Sequence, residues 1–378
     1  MSSDGPARRL PSCLIDLAGG RDPGRIEVDD ETIAVARDHR VVGLLWSHLR
    51  STGQTRMDLA MIDLQIQAHQ QRIWALAERA VEVARLLDVE VAMVKGCALE
   101  RRFYGRDGER PSSDVDLLVA PSELHRIPEL VMAFQPDHSW IPYLPRMVRR
   151  KQIQSVTVAV DRMEVDIHLD VLKLGIHTRQ ADQAWAALRT EQLPNGAELR
   201  VLDDTWTLLL LLAHLNKDRF QRLLGYADVV RVVRHGAVDP DQFWRLAEGE
   251  GLTLPMARTL RTVERDLHVD LRFPTPNVGG LSAAAWDRLW RPEIRLLGRE
   301  GRERFRYRQD LIPLLANGRR TETVRWWSRE LFPPAGAVAA EYPDTSGPYP
   351  VRLVRGRLAA KRAKQRAEAS RGATPPSR

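Results

Sequence analysis

Asp114-Val115-Asp116-Leu117-Leu118-Val119 is the stretch on which the fold turns. A β-strand sends alternate side chains to one side, so the two carboxylates share a face, roughly 6.6 Å apart along the strand, while Val115 and Leu117 turn to the core. Asp is unfavourable in a strand unless something offsets it. Two carboxylates on one face can hold divalent cations. Hard ions such as Mg²⁺ take one or two carboxylates plus phosphate oxygens, and two ions about 3.5 to 4 Å apart can clamp the entering and leaving oxygens of a phosphoryl displacement. That chemistry calls for a third carboxylate. The second Asp-x-Asp pair, Asp239-Pro240-Asp241, reads as an N-cap followed by proline in the first turn of a helix carrying Trp244 and Leu246.

Moving outward, Val89 to Val94 is a short β-branched run that ends in Lys95-Gly96 and reads as a buried strand closed by a tight loop. A helix from Cys97 to Tyr104 and the polar segment Gly105 to Ser113 lead into the Asp114 strand. A helix from about Ser122 to Phe134 and a Pro-rich connection follow. Ser155 to Val160 and Met163 to Leu169, joined at Asp161 and Arg162, form a hairpin. Upstream, Asp29-Asp30 opens one helix, and steps of three and four from Met57 to Leu87 predict a longer one. From Asp203 the pattern is helical: Thr205 to Asn216, Gln221 to His235, Asp239 to Gly249, Pro255 to Leu267, Arg299 to Leu315 and Thr321 to Leu331. The order of strands and helices gives an α/β or α+β unit with a small mixed sheet.

Glu164, Asp166 and His168 share one face of the second hairpin strand. If this strand lies beside the Asp114 strand, Asp166, the central acid, completes the metal site and can take the proton of an attacking hydroxyl. Read alone, the same face suits the solvent side of an edge strand. Lys95-Gly96 opens a helix, where backbone N–H groups favour anions, glycine lets a phosphate approach and lysine adds a point charge. Alone, Lys-Gly is also ordinary turn chemistry, and no Walker A loop occurs.

The stretches Met93-Val94-Lys95-Gly96-Cys97-Ala98-Leu99, Arg110-Pro111-Ser112-Ser113-Asp114-Val115-Asp116-Leu117-Leu118-Val119 and Val165-Asp166-Ile167-His168 resemble a bacterial family of uncharacterised nucleotidyltransferases within the polymerase-beta-like superfamily. The resemblance extends over most of the chain. It implies a polymerase-beta-like palm flanked by N-terminal helices and a C-terminal helical domain. The implied activity is Mg²⁺-dependent transfer of a nucleoside monophosphate from an NTP such as ATP to an acceptor hydroxyl, with release of pyrophosphate. By it, Asp114, Asp116 and Asp166 are the metal-binding and catalytic acids, two Mg²⁺ ions are used and Mn²⁺ can substitute. Lys95, Gly96 and Arg110 meet the nucleotide phosphates, or Arg110 orients the Asp loop. The chain departs from the family pattern at Leu169, where relatives carry Trp, and around Gly225-Tyr226. His214 and Asp228 fall on helices and read as packing or buried hydrogen-bonding residues.

The corresponding division of the chain is a 1–27 extension, 28–88 helices, an 89–202 palm, a 203–332 helical domain, and a 333–378 Pro- and Gly-rich segment with a basic tail. Two distant cysteines, Cys13 and Cys97, argue against a disulfide framework or zinc cluster, and Cys97 reads as a small buried residue. No apolar run approaches a membrane span or a signal core, so a cytoplasmic location is expected. Nine basic residues and one acid between Arg352 and Arg378 carry +8 against a chain total of +7, leaving the remainder at −1. A competing reading is therefore a nucleic-acid-binding protein that uses the 352–378 tail, although aromatics that would stack bases are missing there. A third is a catalytically silent relative that binds nucleotide or a partner. The acceptor, whether small molecule, peptide, protein or RNA, is not legible. Asp114→Asn and Asp116→Asn are each expected to abolish transfer with little change in stability.

Overall fold

The computed structural model describes residues 10–172, 177–192, 196, 198–218, 220–279, 284, 319–333, 335, 338, 342 and 346–372. Four helices lead: α1 (Ser12–Ala18), α2 (Asp30–Asp38), α3 (Val42–Ser51) and α4 (Met57–Leu86). Asp29 caps α2, its side chain accepting from the Thr32 N–H, which satisfies one of the donors a helix start leaves open. Next come β1 (Val91–Met93), α5 (Gly96–Phe103), β2 (Asp114–Val119), α6 (Ile127–Phe134) and α7 (Leu144–Arg149). The hairpin follows as β3 (Ser155–Val160) and β4 (Met163–His168), then α8 (Ala181–Ala186), β5 (Arg189–Gln192) and β6 (Glu198–Val201). Helices α9 (Asp204–Lys217), α10 (Leu223–His235), α11 (Pro240–Gly249) and α12 (Thr253–Leu267) complete the body; α13 (Arg320–Leu331) and α14 (Tyr349–Gly372) come later. The helix read over 299–315 lies outside the described residues. Asp239 caps α11 as expected, accepting from the N–H groups of Asp241 and Gln242.

The sheet has six strands in the order β3-β4-β2-β1-β6-β5. It is mixed: β2 runs parallel to β4 and β1 to β6, while β3/β4, β1/β2 and β5/β6 are antiparallel. The protein is thus α+β, with a mixed sheet flanked by helices. Strands β5 and β6 are additions to the sequence reading. Arg189-Thr190-Glu191-Gln192 is polar and largely exposed at the sheet edge, so no apolar alternation marks it.

Two hydrophobic clusters position everything else. Val115, Leu117, Val119, Val165 and Ile167 pack with the second half of α4 and with α6 and α7 in one. The other joins α1, α2 and α3 to α9, α10 and α12, and takes in Leu118, Val94 and Leu99. The 30-residue α4 spans both, giving Leu59 to one cluster and Ile73, Leu76 and Ala80 to the other. Because side chains alternate along β2, the face opposite Val115 and Leu117 turns toward the helical cluster, and that is the face carrying Asp114 and Asp116. No helix among the described residues is long and apolar enough to cross a membrane.

Candidate active site

Register decides which acids meet. In the β2/β4 pairing Asp114 stands opposite Glu164, Asp116 opposite Asp166 and Leu118 opposite His168. Same-face residues of adjacent strands are neighbours, so Asp116 and Asp166 lie side by side. The Nε2 of His168 is 2.7 Å from Asp116 Oδ1 and 3.4 Å from Asp166 Oδ2. Among the described residues, donor atoms of Asp116, Asp166 and His168 all fall within 4.8 Å of one another. Asp114 is not in that tight group. Its carboxylate accepts from the Ser113 hydroxyl at 3.0 Å and lines the same pocket as Asp116. Thr157 donates to Asp166 Oδ1 from β3 at 3.1 Å.

The oxygens of Asp116 and Asp166 fit a small hard cation that keeps sites open for phosphate oxygens. The His168 ring is fully buried, and among the described residues its Nδ1 finds no hydrogen-bond partner. With Nε2 held against Asp116 and Asp166, the ring fixes both carboxylates from behind. The sequence placed His168 on this face without giving it a role; its contact with Asp116 follows from a diagonal across two strands that only the register reveals.

Lys95 brings a positive charge to these acids. Its Nζ lies 2.9 Å from Asp116 Oδ1, with both side chains nearly buried. Burial opposes the lysine charge, but Asp116, Asp114 and Asp166 outweigh it and raise the lysine pKa. Burial would likewise raise the Asp116 pKa, yet Lys95 and His168 hold that carboxyl far below its usual range. The Lys95 backbone sits at φ 56°, ψ −149°, a region costing a non-glycine residue about 1 to 3 kcal/mol and typical of functional turns. Gly96 follows at φ 37° with Asp116 Oδ2 within 3.7 Å of where a Cβ would stand. Together they open α5 toward the acids, with its first-turn N–H groups at that end.

Arg110 lines the same cavity as Lys95 and the acids and is bonded to the chain itself. Its Nε and Nη2 donate to the two oxygens of Asp228, and Nη1 donates to the Gly96 carbonyl and Ser112 Oγ. These bonds use most of its five N–H groups. Tyr104 also donates to Asp228, at 2.6 Å. Asp228 is thus a buried hydrogen-bonding residue, as its helix position suggested, and Arg110 serves the Asp loop. The loop is held from the other side by α4, where Gln70 accepts from the Ser112 N–H. Burial pushes the Cys97 thiol up to about 12, in keeping with an inert core cysteine.

A cavity of about 250 Å³ joins these groups to α9 and α10, with Lys95, Gly96, Asp114 and Asp116 on the sheet side and His214, Asp218 and Arg222 on the helix side. His214 is less hidden than its reading as a packing residue suggests: it lines the cavity and pairs with Asp218 at 3.2 Å. Burial and the Lys95 charge lower its pKa, while His214 draws the Asp218 carboxyl down to about 2 against the opposing effect of burial.

Residues 27–267 match the model of a family described as uncharacterised nucleotidyltransferases. Among solved structures, the chain is similar to an antigenic nucleotidyltransferase-like protein from Paracoccidioides brasiliensis. Identity is 14%, the TM-score is 0.34, and the match covers 55% of this chain and 94% of that one. No curated protein matches the chain.

Proposed function

Since the chain belongs to the family of uncharacterised nucleotidyltransferases, we propose that it moves a nucleoside monophosphate from an NTP to an acceptor hydroxyl, releasing pyrophosphate, with Mg²⁺ as cofactor. The observation that carries this reading is the β2/β4 register, which brings Asp166 beside Asp116. Asp114, Asp116 and Asp166 would hold the ions, with His168 fixing the last two. Bound Mg²⁺ supplies the charge that stabilises the entering and leaving oxygens of an in-line displacement.

The chain's own groups do the rest. The acceptor oxygen forms a bond to the α-phosphorus as the bond to the pyrophosphate oxygen breaks, and the hydroxyl proton passes to a carboxylate oxygen of Asp166. Lys95 and the α5 N-terminus would meet the phosphates, the ammonium supplying charge and the first-turn N–H groups hydrogen bonds. Arg110, locked to Asp228, keeps the 110–113 loop in place, so that Asp114 is presented at a fixed depth.

The test is incubation of the protein with Mg²⁺ and each labelled NTP, alone and with candidate acceptors. Label transfer with stoichiometric pyrophosphate is expected from the wild type. Transfer retained in both Asp114→Asn and Asp116→Asn would refute the assignment.

A further inference from the structure

Arg40 and Arg222 share the cavity wall, and among the described residues neither forms an ion pair. The other cations there each have a carboxylate: Lys95 has Asp116, Arg110 has Asp228 and His214 has Asp218. The two arginines come from different helices, yet the fold ties their backbones together. His39, beside Arg40, receives the Leu223 N–H on its Nδ1 and the Leu224 N–H on its carbonyl, each at 3.3 Å. That joins the α2–α3 turn to the first turn of α10, which Arg222 precedes.

Arg40 also reaches the acid site. Its Nη1 donates to Ser113 Oγ at 3.2 Å, and that hydroxyl donates to Asp114 at 3.0 Å. One hydroxyl thus separates the guanidinium from a proposed metal-binding carboxylate.

Two features of Arg40 oppose stability. Its backbone lies at φ 58°, closing α2 in the left-handed conformation that favours glycine or asparagine. Burial first, and then the neighbouring charges of Arg222 and Arg110, push its pKa down against the raising effect of Asp114 and Asp218, so the nearby carboxylates do not fully offset the cost of holding the cation there. Neighbouring guanidiniums with no direct ion pair match phosphate oxygens in charge and in planar fork geometry.

We propose that Arg40 and Arg222 form a clamp for the polyphosphate tail of the donor nucleotide. This deepens the nucleotidyl-transfer reading and rests on it. Two guanidiniums beside Lys95 call for several negative charges, which a triphosphate brings and a lone phosphate on an acceptor does not. Arg110, spent on Asp228, leaves this role to them.

The experiment is calorimetric titration of the full-length protein with inorganic tripolyphosphate and, separately, orthophosphate, in EDTA so that no metal contributes. Arg40→Ala and Arg222→Ala are each expected to weaken tripolyphosphate binding about tenfold or more, the worth of one charge-assisted hydrogen bond. Arg40→Lys and Arg222→Lys should recover part of the loss. Arg85→Ala, an exposed control that also removes one charge, should change nothing. Arg40→Gly separates binding from folding: glycine suits this backbone, so the melting midpoint stays level or rises while binding falls as in Arg40→Ala. Tripolyphosphate bound equally by wild type and both alanine variants overturns the clamp. Orthophosphate bound as tightly as tripolyphosphate, with equal losses, overturns it in favour of a single-phosphate site for an acceptor. Because the titration needs neither metal nor turnover, loss of binding in a protein that transfers no nucleotide would sink the transferase reading alone. Transfer by Arg40→Ala with unchanged KM for NTP would sink the clamp alone.

Discussion

Arg110 and Asp228, 118 residues apart in the chain, meet in a two-pronged buried ion pair with both N···O distances at 2.8 Å. Each charge is tolerable there only because of the other. Replacing a buried partner leaves the survivor uncompensated, at a cost of about 3 to 5 kcal/mol. Asp228→Asn is therefore expected to lower unfolding free energy by about that amount in urea titrations. It should also loosen the 110–113 loop and reduce transfer. An apolar replacement of both residues, Arg110→Met with Asp228→Leu, should regain much of the stability without restoring activity. Asp228→Asn unfolding at the wild-type urea concentration would show that the pair carries no stability.

Asp114 and Asp116, two residues apart on one strand, predict different consequences when neutralised. From sequence both Asn variants are expected to be structurally silent. The geometry changes this for Asp116, whose buried carboxylate offsets Lys95 and meets His168. Asp116→Asn should lose transfer and also about 3 kcal/mol or more of stability, because the lysine is left buried without its partner. Asp114, partly exposed and bonded to the Ser113 hydroxyl, should lose transfer with a melting midpoint close to wild type. Equal midpoints for the two variants would contradict the pairing of Lys95 with Asp116.

Glu100 offers a test by pH alone. Burial pushes its carboxyl up to about 7 from an ordinary 4.5, against the lowering effect of the Gly108 N–H. A carboxyl whose folded pKa is raised binds its proton more tightly in the folded state. Its contribution is full below about 4.5 and is lost as pH rises through about 7. The interval corresponds to about 3 kcal/mol, at about 1.4 kcal/mol per pH unit. Urea unfolding of wild type and Glu100→Gln between pH 4.5 and 8 should show the wild type losing ground to the variant as pH rises. Parallel curves would remove Glu100 as the source.

How much of this was legible follows from distance along the chain. Alternation in Asp114–Val119 and Met163–His168 marks both strands and the side each acid takes, because period two is visible within six residues. The hairpin turn at Asp161 and Arg162 reads from its flanking apolar runs. That β4 lies parallel to β2, putting Asp166 opposite Asp116 rather than a residue away, is a property of the sheet and had to be assumed. Longer-range partners left no local signal. Nothing near Arg110 announces Asp228, and nothing near Arg40 announces Arg222, since each meeting depends on α10 docking against the leading helices and α5. His214 looks like one more residue of an apolar helix until α9 is packed, when it faces the cavity.

Lys95 and Asp116 make the last prediction. The lysine ammonium stands where it neutralises a carboxylate that a metal ion would also seek, so the two cations compete. Lys95→Met removes the competitor and leaves Asp116 buried with His168 as its remaining hydrogen-bond donor. In EDTA this variant should lose about 3 kcal/mol of unfolding free energy, as for other broken buried pairs. Adding Mn²⁺ at about a hundred times its dissociation constant should restore about 2.7 kcal/mol, because an ion that binds only the folded state stabilises it by mass action. The wild type, where the ion must first displace Nζ, should gain less at the same concentration. Urea titrations of both proteins with and without MnCl₂ measure the difference. A gain in Lys95→Met no larger than in wild type would mean that the ion does not bind at Asp116, and the metal site would have to be sought elsewhere.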